Sequence, residues 1–226
     1  MKIPQLYMAP GTCARVSSIC LEEVGLDFET VAVRFLKGEH KSPVYKQLNP
    51  LGKVPALVID GDVLTENVAI IVYLNEVFSD SNLMPAAPTT LARSHQFADL
   101  CFCSATLHPI VTRIRMPQFF ANEDAVQSVW EKACRAMVEF FAYIDNRLAT
   151  RSWWYGEQWS AMDAYLYWIF WRVQGAGFDV TKYSYFMDHF NRMEQRPSVQ
   201  RACQREKRVE AELEAEGLNF KPAKLA

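Results

Sequence analysis

Asn49-Pro50-Leu51-Gly52-Lys53-Val54-Pro55-Ala56-Leu57, followed closely by Leu64-Thr65-Glu66-Asn67-Val68-Ala69-Ile70, is the stretch of the chain best equipped for chemistry. Its residue types and spacing build a small site for a peptide-like ligand. Val54 offers a backbone N–H and C=O to an extended partner, as a strand edge does. Pro55 lacks an N–H and has an accessible cis isomer, so it holds the preceding backbone out of the ladder. Glu66 and Asn67 are placed to meet the amine and carboxylate of an amino-acid-like head group. A helix N-terminus predicted behind them adds partial positive charge for that carboxylate. Taken alone, the segment also reads as an ordinary hairpin followed by a helix cap.

Composition mostly excludes. The 226 residues suffice for one or two domains with a sizeable core, and half are hydrophobic, as in ordinary globular proteins. A net charge of −2 without a long basic run argues against a phosphate-tracking surface, so no nucleic-acid partner is expected. Met1-Lys2-Ile3-Pro4-Gln5-Leu6-Tyr7 has no long apolar h-region and nothing in the chain approaches a membrane-spanning run; a cytoplasmic protein is expected. Cys13, Cys20, Cys101, Cys103, Cys134 and Cys203 are scattered rather than framework-like, and are expected to be reduced. In Cys101-Phe102-Cys103 the thiols diverge on a helix, and no second Cys/His pair completes a set, so no metal is expected. His40, His95 and His189 join no constellation and are expected at the surface.

These groups need elements to position them. Lys2 to Met8 reads as a strand, broken by Pro10-Gly11. An amphipathic helix then begins at Thr12 or Cys13 and ends at Gly25 as its C′ residue. Phe28 to Val33 is strand-like, and a short helix is expected within 37–47. Ala56 to Ile59 and Val63-Leu64 flank the Asp60-Gly61-Asp62 turn, and Thr65 or Glu66 opens a helix running to Phe78. With a parallel first strand pair, this order makes a compact α/β unit. Ser79 to Thr90 reads as a linker. Beyond it the apolar spacing is helical, over Leu91–Met116, Asp124–Leu148, Ala164–Trp171 and Tyr185–Gln195, with a charged helical extension from Glu206. Ser160-Ala161-Met162-Asp163 has capping-box spacing, with Trp159 as a staple residue.

Several of these pieces match one family in order. Pro10-Gly11-Thr12-Cys13 resembles a Pro-Gly-x-Cys entry to the first helix. The Asn49–Leu57 stretch resembles a glutathione-binding turn with a cis proline, and Thr65–Ile70 resembles a γ-glutamyl site. Ser160–Leu166 is similar to the capping box and buried helix of the same superfamily. Over residues 2–217 the chain thus resembles cytosolic glutathione S-transferases, most closely the bacterial beta class. The resemblance implies an α/β thioredoxin-like N-terminal domain (1–80) and a linker (81–90). It also implies an all-α C-terminal substrate domain (91–217), a flexible tail (218–226), glutathione as cosubstrate, a role in detoxification, and a homodimer.

It also implies roles. Cys13 is the catalytic thiol: exposed N–H groups at a helix start lower a cysteine pKa from about 8.5 toward neutrality. Its thiolate then forms a mixed disulfide with glutathione or positions glutathione's own sulfur. Thr12 lends a hydroxyl to the bound sulfur or simply caps the helix. Glu66 and Asn67 hold the γ-glutamyl group, and Val54, before Pro55, pairs with the cysteinyl unit. Lys37, with Lys41 as a rival and Lys53 sharing the work, reaches the glycyl carboxylate. His108 resembles the class's active-site histidine, a proton carrier or hydrogen-bond partner. Around it Cys101, Ala105 and Pro109 depart from the pattern of a polar, a hydroxyl and a lysine residue, and Pro109 is expected to kink the helix. Met8, Phe35, Arg113 and Met116, with Phe119 and Trp168, line the acceptor pocket. A cysteine in place of tyrosine or serine favours thiol–disulfide transfer over conjugation. The alternative is a non-catalytic binding or scaffold protein on the same fold.

Overall fold

The computed structural model describes residues 2–218, which divide into two compact units. One comprises the chain up to Leu83 together with the segment from Gln195; the other is Met84–Glu194. The first opens β1 (Gln5–Met8), α1 (Ala14–Glu23), β2 (Glu29–Ala32), α2 (Pro43–Leu48), β3 (Ala56–Ile59), β4 (Asp62–Thr65) and α3 (Asn67–Val77). The sheet order is β2-β1-β3-β4, with β1 and β2 parallel and the other pairs antiparallel. This is the compact α/β unit that the strand–helix–strand–hairpin–helix order predicts, in the thioredoxin-like arrangement that the family resemblance implies. Gly25 does end α1: at φ +68° it lets Leu26 donate back to the Leu21 carbonyl at 3.2 Å.

The second unit is helical: α4 (Thr90–Cys101), α5 (His108–Arg115), α6 (Val126–Leu148), α7 (Ala161–Gln174) and α8 (Ser184–Glu194). The single helix expected over Leu91–Met116 is two helices joined by a π-helical stretch, Phe102–Leu107. Pro109 explains it. Without an N–H it cannot bond the Ala105 carbonyl, and the preceding backbone widens until His108 N–H reaches the Cys103 carbonyl, five residues back. The expected kink is thus a local widening.

α7 is buried nearly all round, as its apolar composition predicts, and its N-terminus carries the Ser160–Asp163 capping box. The Asp163 carboxylate is fully buried and accepts from Trp154 N–H (2.8 Å), Ser160 N–H (2.9 Å) and Ser160 Oγ (2.8 Å), and lies 2.9 Å from His189 Nε2. His189, expected at the surface, is therefore a core residue, held from α8 by the buried Asp163 carboxylate.

The last helix, α9 (Pro197–Ala215), corrects the expected 91–217 domain: it packs on α1 in the first unit. Val199, Ala202, Val209 and Leu213 face inward, while Arg201 and Arg205 reach Glu22 of α1. The expected tail lies, apart from Leu218, outside the described residues. Among the described residues no helix is long and apolar enough to cross a membrane.

Candidate functional site

The site is built by one turn. Buried Asn49 organises it: its Oδ1 accepts from Leu51 N–H (3.0 Å), and its Nδ2 donates to the Lys53 carbonyl (2.8 Å). The Tyr45 hydroxyl donates to the same carbonyl at 2.7 Å. Gly52 passes under the chain at φ +62°, so close that a Cβ there would stand 2.6 Å from the His40 carbonyl oxygen. Gly52→Ala therefore combines a left-handed backbone with a clash against main chain, and a loss of about 2 kcal/mol or more is expected in denaturant unfolding. The turn delivers Val54 into a cis bond to Pro55, as its sequence predicts, ahead of β3.

Cys13 sits at the N-cap of α1 and makes no capping bond with its side chain. Its Sγ instead donates to the Val54 carbonyl at 3.6 Å. The thiol is only 8% exposed. Burial pushes it up to about 12; a hydrogen bond from the Asn67 side chain and the Lys53 charge pull it down, and the Glu66 carboxylate adds to the rise. The surroundings of the ligand-free thiol thus work against the expected ready ionisation: burial raises it more than its hydrogen bonds lower it. Cys20 is fully buried in the core.

Glu66 lies at the tip of β4, exposed, with φ +68° and ψ 127°, a backbone state that costs a non-glycine residue about 1–3 kcal/mol. Its side chain makes no cap bond, so the first N–H groups of α3 are left to other partners. Asn67, expected beside Glu66 as a head-group ligand, turns inward. It is 3% exposed, and its Oδ1 accepts from Ser17 Oγ at 2.6 Å.

A carboxylate that sequence reasoning passed over holds the Cys13 turn in place. Glu206 of α9, 6% exposed, accepts from Gly11 N–H at 2.8 Å and from Arg15 Nε and Nη2 at 2.9 and 2.7 Å. Thr12 spends its hydroxyl locally, donating to the Ala9 carbonyl at 2.6 Å.

The remaining expected residues fall in both units. Lys37 is bound by Glu216 at 2.8 Å, which Arg34 also pairs; together they hold the Glu216 carboxyl well down, at about 2. Lys53 and Lys41 are exposed. Met8 is fully buried in the core and so cannot line an open pocket, a correction that follows from its inward position on β1. Phe35 is half-exposed with its ring against His40. In the helical unit, His108 Nδ1 lies 3.2 Å from the Tyr165 hydroxyl and its ring meets Trp168 edge-on at 4.7 Å. Arg113 is exposed, folds back on the Pro109 carbonyl (2.9 Å) and lies over Phe120, while Met116 caps α5 half-buried.

Comparison with known proteins agrees with this fold. Residues 5–76 match the family model of the glutathione S-transferase N-terminal domain, and 127–205 that of the C-terminal domain. A glutathione S-transferase of Xanthomonas campestris pv. campestris is 32% identical over 216 residues, 95% of this chain and all of the relative. A sphingomonad glutathione S-transferase complexed with glutathione superposes with TM-score 0.75 at 30% identity, covering 95% of this chain and 100% of the other. The bacterial beta class enzyme of Sphingomonas chungbukensis gives TM-score 0.77 at 28% identity over the same shares.

Proposed function

Because the chain belongs to the glutathione S-transferase family, we propose that it binds glutathione along the Val54 edge and transfers it to small electrophiles, with the Cys13 thiol donating a hydrogen bond to the glutathione sulfur. One observation carries the reading: the Cys13 Sγ–H is in hydrogen-bond contact with the carbonyl of Val54, the residue before the cis proline. A tripeptide pairing its central residue with Val54 sets its own sulfur beside that thiol. Glu66 then meets the ligand's amino group, and the open N–H groups of α3 meet its carboxylate.

The chemistry follows from the protonation state. Glutathione's thiol gives its proton to solvent; Cys13 S–H donates to the resulting thiolate. The thiolate attacks the electrophilic carbon, whose leaving group departs with the bonding pair. Thiol–disulfide transfer, by contrast, needs Cys13 itself ionised, which burial opposes. Conjugation is therefore the reading preferred here, reversing the balance expected from a cysteine alone. The homodimer and the cytoplasmic setting belong to the same proposal. For the former, Phe102, Phe140 and Tyr143 line an open aromatic groove on the helical unit, and sedimentation of the purified chain checks it.

Calorimetric titration with glutathione tests the binding step. Binding is expected, and Glu66→Gln is expected to weaken it by about 10- to 100-fold, the worth of one hydrogen bond to a charged group. No binding by a folded chain would favour the scaffold alternative.

A further inference from the structure

We propose that Glu216, at the C-cap of α9, is an internal occupant of the site's carboxylate corner, and that glutathione binds by displacing it from Lys37. The inference deepens the reading given above and rests on it. Sheet topology places the corner. β2 runs parallel to β1, β3 antiparallel to it, and β4 antiparallel to β3. The C-terminal ends of β1, β2 and β4 therefore share one end of the sheet with the N-terminal end of β3. In the order β2-β1-β3-β4 that end presents a row: Arg34 and Lys37 after β2, Cys13 after β1, Val54 before β3 and Glu66 after β4. Strands about 4.8 Å apart make the row roughly 14 Å long, against about 10 Å of main chain in an extended tripeptide. A ligand with its head at Glu66 and its central residue on Val54 thus sends its far carboxylate toward the β2 corner.

That corner already holds a carboxylate. Arg34 Nε lies 2.9 Å from each oxygen of Glu216, and Lys37 Nζ lies 2.8 Å from Oε2. Glu39 and Glu212 also reach Arg34, at 3.8 and 2.8 Å, so three carboxylates share two cations. The network carries one negative charge in excess, and a further carboxylate enters only if one leaves. Glu216 is the one to leave, because among these three it is the partner of Lys37. Its departure keeps the corner in shape: Arg34 is still held by Glu212, by Glu39 on its backbone N–H (2.7 Å) and by the Ala32 carbonyl (3.2 Å). The end of α9 survives as well. Gly217 turns the chain at φ +73°, and Leu218 N–H donates to the Leu213 carbonyl at 2.8 Å, both through main chain. A carboxylate at a helix C-terminus also faces the negative end of the dipole, so the two cations alone favour it there. Only a side chain has to move.

The experiment compares two ligands on the full chain by calorimetric titration: glutathione, and its glycyl amide, in which a neutral carboxamide replaces the terminal carboxylate. Glu216→Gln is expected to bind glutathione about 3- to 10-fold more tightly than the parent, since exposed ion pairs no longer have to be broken first. The amide, which does not compete for the cations, should bind both proteins within about twofold. Glu216→Ala should give the same pattern. Glutathione bound equally or more weakly by both variants would overturn the proposal and leave Glu216 as a brace for the segment carrying Lys37. A gain as large for the amide as for glutathione would overturn it too, because charge would then play no part. In either case glutathione still binds, and the functional reading stands. Parent and variants that are folded yet bind no glutathione would sink the reading and the proposal together.

Discussion

Cys13→Ser is expected to keep glutathione conjugation within roughly tenfold of the parent while abolishing any thiol–disulfide transfer, and Cys13→Ala to lower conjugation by about 10²-fold. A serine hydroxyl still donates to the glutathione thiolate from the same place. It cannot form a mixed disulfide. Alanine removes the donor outright and leaves the developing charge with one partner fewer. Steady-state conjugation and reduction of a glutathione mixed disulfide, measured on the same three proteins, separate the two chemistries. The burial that keeps Cys13 protonated has a second consequence. Below its ordinary value of 9.0 the thiol is protonated whether the chain is folded or not. Between 9.0 and about 12 it ionises only in the unfolded chain, so folding stability falls as pH rises through that window. Cys13→Ser, whose hydroxyl does not titrate there, should lose less stability across the same range in denaturant unfolding.

The second large effect is expected at Glu206. Glu206→Ala takes the carboxylate away from the buried Arg15 guanidinium and from the Gly11 N–H. Breaking a buried pair in this way costs about 3–5 kcal/mol, a fall of roughly 10 °C in melting temperature for a chain of this size. Replacing both partners by Arg15→Leu with Glu206→Leu should recover much of that stability, since no charge is stranded. Conjugation should recover less, because the leucine pair does not restore the carboxylate that held Gly11 in the turn carrying Cys13. Thermal melts and kcat/KM on the single and double variants measure the two effects separately.

The fold was legible where local chemistry leaves few choices. Gly25 ends α1, the Asp60-Gly61-Asp62 turn joins β3 to β4, Ser160 and Asp163 cap α7, and Val54–Pro55 is cis. The corrections concern burial, which no local pattern specifies. The helix-start position of Cys13 was readable; the packing that dehydrates its sulfur was not. Asn67 stands next to Glu66 in sequence, but the turn from β4 into α3 sends one side chain outward and the other under α1. His189 offered no clue of its own, since its partner Asp163 lies 26 residues away. Glu206 did leave a signal. Val199, Ala202, Glu206, Val209 and Leu213 recur at helical spacing, and a carboxylate in that apolar row requires a buried cation. Arg15, sitting inside the apolar stripe of α1, is the matching half.

Ultraviolet difference absorbance of the thiolate of enzyme-bound glutathione, titrated against pH, tests most directly whether Cys13 acts on the ligand's sulfur. In the parent protein the bound thiol should ionise well below its pH in free solution; Cys13→Ser should retain most of that displacement, and Cys13→Ala should lose it. A bound glutathione that titrates as it does in water, or one displaced equally in the alanine variant, would contradict a sulfur held beside the tripeptide edge as a hydrogen-bond donor.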